Sequence, residues 1–428
     1  MHASTSSLQK KILSGKHYRR ITGCLMLSAL LPLCSYATTS DDSSASTLED
    51  AITQGKVSGS LRSVYYSTHN AYFVQGLNQD TVSYGGFLKY ETAPLDGFNL
   101  GVSGIFVRGI DHGAASRTVT ELGDNQTNIG EAWLQWRHDD FRITAGNQQL
   151  NTPFLGNYDW RITPIIYQAI DAQYGHDEDF IRATKVFRYK SWGTDRQQRY
   201  TAYNTEDKTN GMWSLGAGHH WDVNDVHLKG VAWYENYNDY SDIFYTEGHA
   251  QWNQAPLQPD LGLQYIRGTG NGKDLAGPVN SQSIGWQLSL NLLSSLNWKV
   301  GYDYLANNAS GYKYPLVTPY SHNTSSGPYF AQPFFTSTQD LGNGNAWATS
   351  LNYNATEQVT IGSRYSWMDL KPASSHGSLR QSEYLIYGIY SFDGALKGLS
   401  LTDFVGVQTS PMYAKNFWQN RVALQYDF

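Results

Sequence analysis

The sequence predicts an all-β chain that crosses a membrane as an antiparallel barrel of about 18 strands. Three observations predict it. An export signal opens the chain, and nothing after it is apolar enough for a transmembrane helix. Segments of about 8 to 12 residues with period-2 patterning then recur from Val57 to the carboxy-terminus. The connections between them alternate short and long, the pattern of tight periplasmic turns and long outer loops.

The export signal has a basic front, Lys10, Lys11, Lys16, Arg19 and Arg20, and an apolar run from Ile21 to Leu33. Ser35-Tyr36-Ala37 supplies the small-x-small end that signal peptidase reads, so residues 1–37 are expected to be removed. Ile21-Thr22-Gly23-Cys24 has the residue types of a lipobox, but it precedes the apolar run instead of following it. Both cysteines, Cys24 and Cys34, fall in the removed segment, which leaves no disulfide, cysteine metal site or thiol nucleophile. Five of the 31 basic residues and none of the 37 acidic ones lie there, leaving 26 against 37 and a formal charge of −11. That balance argues against nucleic acid as a partner.

Beyond residue 37, no stretch approaches the roughly 18 to 20 apolar residues of a transmembrane helix. Tyr 31, Trp 13 and Gly 40 are high and charge is only 16 %, a profile that suits strands apolar on one face. Residues 38–56 are rich in Ser, Thr and Asp and read as a flexible periplasmic lead-in. The barrel then occupies 57–428. Strands are expected near 57–67, 81–92, 97–108, 128–137, 141–148, 166–174, 179–188, 211–221 and 225–236. The rest lie near 245–253, 260–267, 282–291, 296–306, 345–354, 357–367, 382–392, 397–407 and 417–428. Short connections include His138-Asp139-Asp140, Asp222-Val223-Asn224 and Asn354-Ala355-Thr356. Long polar ones fall at 68–80, 109–127, 149–165, 189–210, 237–244, 268–281, 305–344, 368–381 and 408–416.

The last strand alternates most clearly. Trp418, Val422, Leu424, Tyr426 and Phe428 share one face, and Gln419, Arg421, Ala423, Gln425 and Asp427 the other. An aromatic carboxy-terminus, Tyr426 and Phe428, resembles the signal that outer-membrane assembly machinery recognises. Parity then assigns the lumen: where the apolar face meets lipid, alternate residues point inward. Arg62, Lys89, Arg137, Arg142, Arg182, Arg188, Lys299, Arg364 and Arg421 take inward positions. Facing lipid at the midplane, each would cost about 2 to 4 kcal/mol. The inner wall is therefore expected to be basic although the chain is acidic. A simpler reading has these cations pair with inward Glu131, Asp303 or Asp427 and keep the lumen wet.

A barrel this wide leaves an aqueous channel unless something folds into it. The third long loop, from Gly146 to Pro164, is apolar and aromatic for a surface segment and is stiffened by Pro153 and Pro164. Its Leu-x-x-Pro element (Leu150 to Pro153), its Asp-x-Arg-apolar-x-Pro element (Asp159 to Pro164) and Tyr167 resemble the OprD-type substrate-specific porins of Gram-negative bacteria. The resemblance implies an outer-membrane channel whose third loop constricts the pore, with Tyr158, Asp159, Arg161 and Tyr167 at the waist. It also implies an inward-folded seventh loop. Gly327-Pro328-Tyr329-Phe330, followed by Ala346-Trp347, looks like that loop's ending, which adds Tyr329 and Phe330 to the constriction. Gly342-Asn343-Gly344-Asn345 replaces the charged residues usual before that Trp.

Passive diffusion of small hydrophilic solutes is the implied function, with amino acids or small carboxylates favoured by the resemblance and the basic wall. Aromatic loops point alternatively to sugars. A barrel lipase or protease is the rival from another class, but neither G-x-S-x-G nor H-E-x-x-H occurs. His219, His220 and His227 straddle a short turn without cysteine, so no metal, catalytic residue or cofactor is expected. The expected partners are lipid, the assembly machinery and the solute, and the chain is expected as a monomer or homotrimer.

Overall fold

The structure is a computed structural model. The structure describes residues 44–110, 122, 125–156, 161–201, 204–307, 317–320, 328–335, 343–371 and 379–428. The expected signal peptide lies outside them.

Eighteen antiparallel strands form one closed sheet. In order they are β1 (Lys56–His69), β2 (Gln79–Glu91), β3 (Phe98–Ile110), β4 (Gln126–His138), β5 (Phe141–Gln148) and β6 (Ile166–His176). There follow β7 (Asp179–Lys190), β8 (Met212–Val223), β9 (Val226–Tyr237), β10 (Ser241–Trp252), β11 (Asp260–Gly270) and β12 (Asn280–Leu293). The last are β13 (Leu296–Asn307), β14 (Asn343–Asn354), β15 (Val359–Lys371), β16 (Leu379–Ser391), β17 (Leu399–Thr409) and β18 (Phe417–Asp427). Each strand pairs with its chain neighbour, and β1 pairs with β18 from Ser60↔Asp427 to His69↔Trp418, so no edge is left open.

All eighteen expected strands are present, because period-2 patterning survives wherever one face meets lipid and the other the lumen. Leu88, Leu100, Ile181, Leu263, Ile284 and Ile386 are each more than half exposed on the outer face. An apolar belt this extensive belongs against acyl chains. Aromatic side chains gather at the short-turn rim, where Trp136 packs on Phe98 and Phe141 and Tyr426 stacks on Phe428. That is where the headgroup girdle of a membrane barrel falls.

Two expectations are corrected. The lead-in is not wholly irregular: Leu48–Thr53 form a helix, α1, capped by Thr47, whose side chain accepts from the Asp50 N–H. It is pinned to the β2–β3 turn, with Ala45 N–H donating to Pro94 O and Ala93 N–H to Ala51 O. The long loop expected at 237–244 is only the tight turn 238–240, since β10 starts at Ser241. Asp239 takes a φ of 66°, which lets the chain reverse within the turn.

Candidate functional site: the loop-filled lumen

The largest apolar core of the described residues lies inside the barrel, not between layers. It joins Leu150, Phe154 and Leu155 of the third long loop to inward wall residues such as Tyr237, Tyr245 and Ile266 and to Tyr320 and Tyr329 of the seventh. Both loops fold inward.

The third loop starts as a compact turn, in which Thr152 N–H donates to Leu155 O and Leu155 N–H to Thr152 Oγ1. Thr152 Oγ1 donates in turn to Glu235 Oε1 of β9 at 2.8 Å, and Phe154 meets Tyr245 of β10 edge-on. Phe154 is fully buried (0 % exposed). After 157–160, which include Tyr158 and Asp159 and lie outside the described residues, the loop reaches other strands. Arg62 Nη1 of β1 donates to Arg161 O at 3.1 Å, and Ile162 packs with Val64, Tyr66 and Val107 of β1 and β3. β1 and β10 stand nine places apart in a ring of eighteen. The described parts of the loop therefore touch opposite walls of the lumen. Its Arg161 guanidinium lies 4.7 Å from the Trp192 ring centroid, a cation–π contact. Tyr167 is fully buried, and its hydroxyl donates to Gly156 O at 2.8 Å.

The seventh loop lies along the wall. Gln264 of β11 donates to Pro328 O, Ala331 N–H donates to Asp303 of β13, and Arg364 of β15 donates to Phe330 O and Gln332 O. Phe334 and Phe335 N–H groups donate to Glu383 of β16, and the Phe335 ring lies under the Arg421 guanidinium of β18. Residues 328–335 thus form a strap running round the inner wall from β11 to β18. Glycines permit the approach: a Cβ on Gly301 would stand 2.9 Å from Phe330 O, and one on Gly262 3.1 Å from the Phe330 ring. Earlier in this loop, Tyr320 packs between Tyr189 and Tyr237, and burial pushes its hydroxyl well above the usual phenol range.

The inward cations have work to do in this packing. Lys89 pairs with Glu91 at 2.6 Å and Glu131 at 3.4 Å. Arg182 pairs with Asp171 at 2.8 Å, with Arg142 3.8 Å from the same carboxylate. Arg421 lies over the Tyr66 ring, and Lys299 is buried. Arg137 stands exposed at the short-turn rim opposite Arg142. Arg188 departs from expectation. A β-bulge between Val186 and Arg188 shifts the register, so Val186 and Tyr189 enter the core while Arg188 is exposed and pairs with Gln168 on the outer parity.

Sequence reasoning placed Asp303 inward only as a partner for cations, did not single out Glu235 or Glu383, and so missed what holds the loops. Glu235, Asp303 and Glu383 are buried carboxylates on the inner wall, and all three accept hydrogen bonds from loop groups. Their signal was present in the inward parity of each, but the loop partner of Glu235, Thr152, is 83 residues away. At the short-turn rim, His219 and His220 each stand 2.6 Å from Asp179, and His227 bridges Asp222 and Glu178. Those histidines stand within hydrogen-bond distance of carboxylates at the short-turn rim.

No protein-family model matches the chain, and no curated protein matches it. Solved structures do. A BenF-like porin from Pseudomonas fluorescens Pf-5 superimposes with a TM-score of 0.77 at 13% identity, over 88% of this chain and 99% of that one. Pseudomonas aeruginosa OpdK, in a structure with vanillate, gives 0.74 at 14% identity over 88% and 99%. Acinetobacter baumannii OccAB2 gives 0.73 at 16% identity over 89% and 99%. Across nearly the whole of each of these chains, the present one shares their fold.

Proposed function

We propose that this chain is a Gram-negative outer-membrane porin of the OprD type, passing small hydrophilic solutes by passive diffusion. Small carboxylates and amino acids are the favoured class. The observation that carries the reading is the third loop, whose described parts touch opposite walls of the lumen, with Arg161 at the β1 side. A loop in that position narrows an otherwise open tube, and its guanidinium, buried against Trp192, acts on passing anions through its field. Tyr158, Asp159, Arg161 and Tyr167 form the waist in this reading, with Tyr329 and Phe330 behind it. The OpdK structure with vanillate, a carboxylate, adds support by likeness of fold.

In the same reading residues 1–37 are removed on export, 38–56 lie in the periplasm, and the assembly machinery reads Tyr426 and Phe428. Planar-bilayer recording of the purified protein tests the channel: discrete ohmic steps are expected, and their absence defeats it. Arg161→Ala tests the waist. It should lower anion selectivity and benzoate uptake in liposome swelling by about three- to tenfold, the worth of one partly screened charge. Unchanged selectivity would remove Arg161 from the mechanism.

A further inference from the structure

Two cations stand on the outer face of the barrel, where the passage of solutes gives them no role. Lys185 of β7 and Arg267 of β11 share the parity of Ile181 and Leu263, which face lipid. One aromatic residue from each intervening strand joins them into a row. Lys185 pairs with Trp213 of β8, whose ring lies 5.3 Å from that of Tyr234 of β9. Tyr234 and Arg267 both pair with Phe244 of β10. Trp213 and Phe244 are exposed, so the row is open to the membrane.

The row lies at the long-loop edge of the belt. β8 starts at Met212, opposite Val186, and Arg267 stands three residues before the end of β11 at Gly270. A lipid-facing cation is costly at the midplane, but the cost nearly vanishes at the interface, where a long stem lies on apolar surface and its head reaches water. Lys185 Nζ donates to Asn210 O at 3.1 Å and Arg267 Nη1 to Ser281 O at 2.9 Å. Both acceptors are neutral carbonyls. Among the described residues neither cation forms an ion pair with a carboxylate. The carboxylate beside the row, Asp242, is taken up by Asn236 Nδ2 at 2.6 Å and Asn271 Nδ2 at 3.1 Å. Towards the short turns, Ile181, Leu215 and Leu263 are each more than half exposed and offer a bed for acyl chains.

We infer that this row binds an outer-leaflet lipid with two phosphate groups on one headgroup, Lys185 taking one phosphate and Arg267 the other. Spacing makes the choice. The two cations are four strand spacings apart, roughly 19 Å at the backbone. A lone phosphate reaches one of them, whereas phosphates at the two ends of a sugar headgroup engage both. Arg267 presents a planar fork to phosphate oxygens and Lys185 a compact point charge. The three rings between them sit at headgroup depth, and the acyl chains fall on the aliphatic bed. A second copy of the chain fits less well, because a two-fold contact centred on the row would set Lys185 against Arg267, cation on cation.

The inference rests on placement in the outer membrane and not on the channel, so the two can fail separately. Diphosphorylated lipid A, its monophosphorylated form and inorganic phosphate are titrated onto the delipidated protein in detergent, and bound lipid is counted by native mass spectrometry. The diphosphorylated form is expected to bind about fivefold or more tightly than the monophosphorylated one, and inorganic phosphate should not displace it. K185Q/R267Q should weaken the diphosphorylated form about tenfold or more. R380Q, which removes an outer-face arginine of β16 away from the row, should leave it unchanged. Heat-modifiable gel mobility shows that the double variant is folded. If it is not, K185Q and R267Q serve singly, each expected to erase the preference for the second phosphate. Equal binding of the two lipids, unchanged affinity in a folded variant, an equal loss in R380Q, or displacement by inorganic phosphate would overturn the site. Dimers in place of lipid adducts would overturn it in favour of a second copy. Lipid preference without conductance steps would uphold the row and defeat the channel. Conductance without lipid preference would do the reverse.

Discussion

Glu383 shows how single residues decide what fills this lumen. Its carboxylate accepts from the Phe334 and Phe335 N–H groups at 2.6 and 3.0 Å, and from Gln408 at 3.0 Å. Backbone donors carried into a barrel interior must find acceptors, and a buried carboxylate offers several lone pairs to one short segment. Glu235 and Asp303 do the same for other stretches of the two inward loops. Glu383→Ala strands two buried N–H groups, at about 1 to 3 kcal/mol each. The strap should then detach while the barrel persists, seen as larger and noisier conductance steps with unaltered heat-modifiable mobility. Conductance like that of the parent would mean the strap is held elsewhere. The acidic residues could be found in the sequence, but their purpose could not. Parity places Glu383 inward, yet nothing local says that Phe334 and Phe335 will return to it from across the seventh loop.

At the scale of elements, strands were legible and their irregularities were not. A strand between lipid and a wet lumen alternates for its whole length, so even 166–174, 245–253 and 260–267 can be read from pattern. The bulge in β7 leaves no such trace, because Val186 and Phe187 are both apolar and parity slips silently between them. The 238–240 turn was hidden by composition, since Asn238, Asp239 and Tyr240 read equally well as part of a longer polar loop. The strap adds a demand that alternation does not show: its wall must be flat. Gly301→Val would place a branched side chain where Phe330 O stands 2.9 Å from the missing Cβ. Overpacking of this kind costs about 1 to 3 kcal/mol, and the strap is the part that can yield. We expect protease sensitivity within 328–335 with the strands still protected; a strap as resistant as the parent's would show that the wall gives way instead. The β6–β7 turn offers a test by pH. Burial raises the Glu178 carboxyl, but Lys229 and His227 more than offset it and hold it below its ordinary range. A depressed carboxyl contributes stability above its unfolded pKa and loses it as pH falls through the folded value. Glu178→Gln should thus cost about 0.5 to 1 kcal/mol in urea unfolding at pH 7, as for an exposed ion-pair network, and the gap should close as the pH falls below about 4. A gap independent of pH would assign the loss to packing.

The whole molecule depends on one seam, where the first strand meets the last. Ten residue pairs join β1 to β18, and the chain's final residue extends the ladder by one more: Phe428 N–H donates to Gly59 O at 3.1 Å and Gly59 N–H to Phe428 O at 3.0 Å. Gly59 is small for a reason, since a Cβ there would lie 2.6 Å from the Phe428 ring. The ring itself is 47% exposed on the lipid side, stacked on Tyr426. Its contribution to the closed barrel is therefore modest: about half of a buried Phe side chain, or ~1 kcal/mol, together with one rung of the ladder. If Phe428 served only the seam, deleting it would lower stability by that amount and leave the yield of assembled barrel nearly unchanged. If it is also the residue that assembly machinery reads, the two effects separate. We expect the deletion to cut outer-membrane accumulation in cells by about tenfold or more. Protein refolded in detergent should unfold in urea within about 2 kcal/mol of the parent, a ring and a rung at most. Phe428→Tyr should restore accumulation, because it keeps an aromatic end. Equal accumulation of the deletion and the parent would confine Phe428 to closing the seam.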